Sequence, residues 1–136
     1  MRMALLAMVI DSSALLSILL GEEDADKMVL AIAGDPKRLV SSVTLLETSI
    51  VVEARKGAAG GRELDLLIHS AQMEVVSLTS SQTELAREAY RRYGKGRHPA
   101  KLNTGDCCSY ALARHSGERL LYKGEGLGKT DIPTAL

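Results

Sequence analysis

Aromatic residues are nearly missing from this chain, which has four Tyr and neither Trp nor Phe among 136 residues. That scarcity argues against extensive base stacking as its main mode of recognition, because stacking platforms need several aromatic faces. Net charge is missing too: 17 Lys plus Arg balance 17 Asp plus Glu. Any contact with a polyanion must therefore come from a local basic patch rather than from the field of the whole molecule. Cysteine is limited to the neighbours Cys107 and Cys108. Adjacent cysteines are poorly placed for a structural disulfide, and no second pair completes a zinc site, so a reducing cytoplasm suits the chain. The pair reads as small apolar residues on or near a core face.

Linkers and repeats are also lacking. Only three Pro occur, no Ser-rich stretch divides the chain, and no fixed period recurs. Residues 1–136 are read as a single domain, a length that can bury about two thirds of its unfolded surface. The one long apolar stretch, Met3 to Leu20, carries Asp11, Ser12 and Ser13 at its centre. An acid there is costly in lipid, and no small-residue cleavage pattern precedes Gly21-Glu22-Glu23-Asp24, so no membrane or targeting role is assigned.

What is present alternates. Ala7 to Ile10 reads as a buried strand, followed by capping residues and a helix from Ala14 to Leu20. A second helix spans Glu22 to Ala33, and Gly34-Asp35-Pro36 breaks it before a strand from Arg38 to Ser42. A helix from Thr44 to Lys56 ends at Gly57 and Gly60-Gly61, and another covers Arg62 to Ala71. Strand Glu74 to Leu78, helix Gln82 to Tyr93, a basic loop from Gly94 to Thr104, helix Gly105 to His115 and strand Arg119 to Tyr122 complete the pattern, with a Gly-rich tail beyond. About five such alternations point to an α/β fold, a mostly parallel sheet with helices on both faces. Such sheets bind ligands beyond the carboxyl ends of their strands.

Three acids fall at such ends or face the core. Asp11 follows the first strand, Asp106 opens a late helix, and Glu47 shares its helix face with apolar Leu and Ile neighbours and with Val51. Each also has a plain structural reading. Asp11 is a good helix cap, Asp106 is favourable at a helix N-terminus, and Glu47 lies three residues after Thr44 in capping-box spacing. Gathered together they would suit magnesium, a hard cation bound by one or two carboxylates plus waters and phosphate oxygens. The basic residues Arg91, Arg92, Lys95, Arg97, His98 and Lys101 read either as a solvated helix end and loop or, bordering a site, as a phosphate-binding surface.

The segments Met8-Val9-Ile10-Asp11-Ser12-Ser13-Ala14 and Asn103-Thr104-Gly105-Asp106-Cys107-Cys108-Ser109-Tyr110-Ala111-Leu112-Ala113, with the Glu47 helix between them, resemble a PIN-domain toxin of the VapC type. The resemblance runs from about Met8 to Ile132. It implies a PIN-like three-layer sandwich and an endoribonuclease dependent on Mg2+ or Mn2+, acting on tRNA or rRNA. It also implies a VapB-type antitoxin partner and a homodimer. Carried over, Asp11, Glu47 and Asp106 are the metal-binding and catalytic acids, with Asp11 and Asp106 as direct ligands. Ser13 matches a hydroxyl that holds the first carboxylate or a phosphate oxygen, or else it caps a helix. Arg97 and Lys101 are expected on the RNA-facing loop.

One departure stands out: Gly126 occupies the place of the family's fourth acid. Glu125 and Asp131 are the available partial substitutes. A catalytically weakened module that still binds antitoxin or RNA is therefore the alternative to an active nuclease. A phosphatase using Asp11 as nucleophile is disfavoured, because Ser13 stands at the spacing where such enzymes carry a second Asp. Residues 1–7 are expected to form an extension upstream of a start at Met8.

Overall fold

The computed structural model describes residues 7–136. In chain order the elements are β1 (Ala7–Ile10), α1 (Ser12–Leu19), α2 (Ala25–Ala33), β2 (Lys37–Ser41), α3 (Ser42–Lys56), α4 (Ala58–Ser70), β3 (Met73–Val76), α5 (Ser80–Tyr93), α6 (Thr104–Ser116) and β4 (Arg119–Leu121), with a short 3-10 turn at Leu127–Lys129. Ala7, assigned by sequence to the extension, is the first residue of β1 and is buried. The rest of that extension lies outside the described residues.

All described strand pairs are parallel, in the order β3-β2-β1-β4. β1 is buried along its whole length and sends alternate side chains to opposite faces, as a central strand must. Val9 joins Leu39, Leu120, Ala89, Tyr93 and Leu112 in one apolar cluster, which packs the sheet against α5 and α6. Met8 and Ile10 join Leu15, Met28, Val52 and Leu64 in the other, against α1 to α4. The expected three layers follow from this alternation. The described residues contain four strands rather than about five alternations, with two helices between β1 and β2 and again between β2 and β3, in the order the sequence pattern set out.

Local chemistry moves several boundaries. α3 starts at Ser42 because the Ser41 hydroxyl accepts from Val43 N, so Thr44 is not the cap and no Thr44–Glu47 capping box forms. α4 starts at Ala58, and the chain turn before it is made by Gly57 alone, with φ at 66°. Gly60 and Gly61 lie inside that helix. A Cβ on Gly60 would stand 2.6 Å from the Val52 carbonyl oxygen, so the glycine permits the close approach of α3 and α4. The tail beyond β4 is not loose. Leu120 N donates to Pro133 O, Ala135 N donates to Leu120 O, and Leu127 and Ile132 are buried, so the tail covers the outer edge of β4.

Chain progression runs outward from β1 to β2 to β3, then returns to the other side of β1 for β4. The direction of winding thus reverses between β1 and β4. Ligand crevices of parallel sheets open at such a reversal, beyond the strand carboxyl ends. Asp11, directly after β1, sits at this point and donates its backbone N–H to Leu121 O of β4 at 2.9 Å.

Candidate metal centre

Asp11 is only 2% exposed. Its Oδ2 accepts from Ser13 N at 3.1 Å and from Ser13 Oγ at 2.6 Å, and its Oδ1 accepts from Ser109 Oγ at 2.6 Å. The capping and functional readings of Asp11 are therefore not exclusive, since the same carboxylate caps α1 and faces α6. Ser13 is itself held in place by Lys123 N, which donates to its Oγ at 2.9 Å. Ser109 is within 3.1 Å of the buried Thr44 hydroxyl of α3. One chain of hydroxyls thus joins α1, α6 and α3 around the first acid.

Asp106 occupies the third position of α6. Its Oδ2 accepts from Asn103 N at 3.0 Å while Asn103 Oδ1 accepts from Asp106 N at 2.9 Å, a complete capping box. Glu47, half-buried on α3, lays its carboxylate against Gly105 so closely that any Cβ there would overlap both carboxyl oxygens. The first turns of α6 therefore bracket Asp106: Gly105 before it meets Glu47, and Ser109 after it meets Asp11. Burial pushes the Asp106 carboxyl up to about 6, against the opposing pull of the Asn103 N–H, and the negative charges of Asp11 and Glu47 push it further the same way. An acid whose ionisation is discouraged by burial and by two acidic neighbours forms an arrangement that a cation relieves.

Among the described residues no group of three or more acid, cysteine or histidine side chains already closes into a cage for an ion. The donor set nevertheless fits a hard divalent cation, which takes one or two carboxylates and keeps several waters. The neighbouring thiols do not compete. Cys107 is pushed up to about 12 by burial and by the Asp106 charge, and Cys108 is raised by burial and by Glu47, so neither offers thiolate near neutrality.

The auxiliary acids stand elsewhere. Asp131 Oδ1 accepts from Tyr110 OH at 2.6 Å, and its Oδ2 pairs with Arg114 at 2.7 Å and with Arg92 at 3.7 Å, pinning the tail to α5 and α6. Glu125 is exposed and is not among the charges acting on Asp106. At Gly126 a Cβ would lie 2.9 Å from the Ala100 carbonyl oxygen, so backbone crowds the position where the fourth acid is missing. Arg97 and Lys101 are exposed on the loop leading to the Asn103 cap, and the Arg97 guanidinium lies 5.7 Å from the Tyr90 ring centroid.

Sequence reasoning missed Ser109, Gly105 and the true role of Thr44. Ser109 stands three residues after Asp106, the spacing that places two side chains on one helix face. Gly105 has a backbone φ that carries no signature of its own, and only its contact with Glu47 explains it.

The PIN domain profile matches residues 8–133. Ribonuclease VapC of Mycolicibacterium smegmatis is 55% identical over 125 residues, covering 92% of this chain and 97% of that protein. Ribonuclease VapC30 of Mycobacterium tuberculosis is 53% identical over 127 residues, covering 93% and 97%. Among solved structures, VapC20 of Mycobacterium tuberculosis, described as a Sarcin-Ricin loop cleaving toxin, superposes with a TM-score of 0.77 at 17% identity, over 92% of this chain and 95% of that one. A toxin-antitoxin complex from Klebsiella pneumoniae gives 0.69 at 14% identity, over 91% and 92%. With its carboxylates gathered at the switch point of a parallel sheet and its close likeness to these ribonucleases over nearly its full length, the chain belongs to the PIN-domain family, in its VapC branch.

Proposed function

We propose that this protein is a metal-dependent endoribonuclease toxin in which Asp11, Glu47 and Asp106 hold Mg2+, with Asp11 and Asp106 as the direct ligands. The observation that carries this reading is the bracketing of Asp106 by two α6 neighbours, each of which touches another acid. A bound divalent ion there would polarise a phosphate and lower the pKa of an attacking water. The protein's own part is orientation. Ser13 and Ser109 fix the Asp11 carboxylate, the Asn103 cap fixes Asp106, and Gly105 leaves room for Glu47. Arg97 and Lys101 supply positive charge beside the entry to α6.

Its substrate is RNA of the translation machinery, tRNA or rRNA, in keeping with the described activity of the VapC20 neighbour. A VapB-type antitoxin and a second copy of the chain are its expected partners. Support comes from the Klebsiella complex and from exposed Leu46 and Ile50, one turn apart on α3. Incubating the purified chain with total tRNA and rRNA in Mg2+ tests the nuclease. Cleavage is expected from the parent and loss of about a hundredfold or more from Asp11→Asn, Glu47→Gln and Asp106→Asn, the scale on which removing one electrostatic stabiliser acts. Undiminished cutting by these variants contradicts the site.

A further inference from the structure

Between α5 and α6 lies a cavity of about 400 Å³, within the usual range for small-molecule sites. Its floor is apolar, made by Leu78, Ala86 and Cys107, and its rim carries Arg87, Arg91 and Tyr90. No acid lines it. Two further observations tie it to the chemistry. Thr104, Cys107 and Cys108 of α6 form one wall; they share the helix face opposite Asp106 and Ser109, so an occupant is separated from that carboxylate by the width of the first turns of α6. Tyr90 also links the rim to the basic loop, since its hydroxyl donates to Lys95 O at 3.2 Å and its ring lies under the Arg97 guanidinium.

We infer that this cavity is a nucleotide subsite that takes one unstacked base of the RNA flanking the cleavage point, across α6 from the acids, with Arg87 and Arg91 holding the phosphates on its flanks. The inference rests on the ribonuclease reading above and adds the place where substrate is gripped. A flat ring suits the apolar floor, the guanidinium groups suit the adjoining phosphates, and RNA cutters read unpaired bases that can be splayed out of a loop. The scarcity of aromatics is consistent with a single pocket rather than a stacking platform. Among the described residues Arg87 pairs with Glu84 of its own helix, at an exposed site, which leaves it available at little cost.

The full chain is tested with a fluorescein-labelled, mixed-sequence single-stranded oligoribonucleotide, followed by anisotropy in EDTA across a salt series. The double variant Arg87→Ala with Arg91→Ala is expected to bind about tenfold more weakly, and its dependence of log affinity on log salt should flatten by about 1.4, the release expected for two phosphate contacts on a single strand. Thr83→Trp, which fills the cavity from its rim, is expected to lose about tenfold without changing that slope, the scale of one stacked base. In Mg2+ both should raise KM for RNA cleavage while kcat stays near the parent value, the signature of lost binding common to ground and transition states. Because both arginines are exposed, the double variant keeps the test sound if Thr83→Trp does not fold. A parent that cuts RNA while both variants bind with its affinity and slope overturns the subsite and leaves the nuclease standing. A change from dimer to monomer in the variants by sedimentation assigns the cavity to contact between copies and also overturns it. A parent that neither binds nor cuts RNA removes the nuclease reading, and the subsite with it.

Discussion

At Asp106 the cost of assembling the site is concentrated in one carboxyl group. In the unfolded chain this group ionises near 3.8, whereas in the fold it does so near 6. Between those values the unfolded chain gives up its proton first, so rising pH favours unfolding, and the penalty is absent below the lower value and complete above the higher. Asn at this position keeps an acceptor for the Asn103 N–H. Asp106→Asn is therefore expected to melt at a higher temperature than the parent in EDTA at pH 7.5 and at the same temperature at pH 3.5, as followed by circular dichroism. Gly105→Ala should act on function through Glu47. Its Cβ displaces Glu47, so cleavage should fall sharply while the helical signal stays. Gly126→Asp, which reinstates the family's fourth acid, should not raise cleavage, because its Cβ meets the Ala100 carbonyl at 2.9 Å and must shift the loop before any carboxylate can reach the site. A large gain in cleavage would instead favour the weakened-module reading.

Elements were legible where periodicity and capping chemistry agree. β1, β2 and β4 emerge from short apolar runs, and α6 from an acid placed at a helix N-terminus. Two signals misled. Ser41, Ser42 and Thr44 are all plausible caps for one helix, and only the bond from Val43 N to Ser41 Oγ decides between them. Gly60-Gly61 reads locally as a breaker, yet it is a packing device, because what matters is Val52 on the neighbouring helix. Gly60→Ala is expected to destabilise the fold by about 1–3 kcal/mol in urea titrations, the usual penalty for overpacking. Removing the α6 cap with Asn103→Ala should cost about 1 kcal/mol and also loosen Asp106, so cleavage should fall more than stability does.

For the whole molecule, the order β3-β2-β1-β4 was not readable from element patterns, since nothing local states which strand lies beside which. Even so, the rule that parallel sheets place ligands past their strand ends, together with the family motifs, singled out Asp11, Glu47 and Asp106, which the fold brings to one crevice. It kept Asp131 as a partial substitute for the fourth acid, because the contacts that claim it come from Tyr110, Arg114 and Arg92 on α5 and α6 and leave no local mark. Asp131→Ala is accordingly expected to lower the melting temperature and expose the tail to proteolysis while leaving kcat near the parent value. The topology brings α1, α3 and α6 to one crevice, which on the proposed reading lets separated acids share an ion. Manganese uptake followed by electron paramagnetic resonance measures that sharing directly, since Mn2+ accepts the same oxygen donors as Mg2+. The parent should remove the signal of free Mn2+, and folded Asp11→Asn and Asp106→Asn should each bind it at least about tenfold more weakly. Equal uptake by the parent and both variants would contradict a metal centre built on these carboxylates.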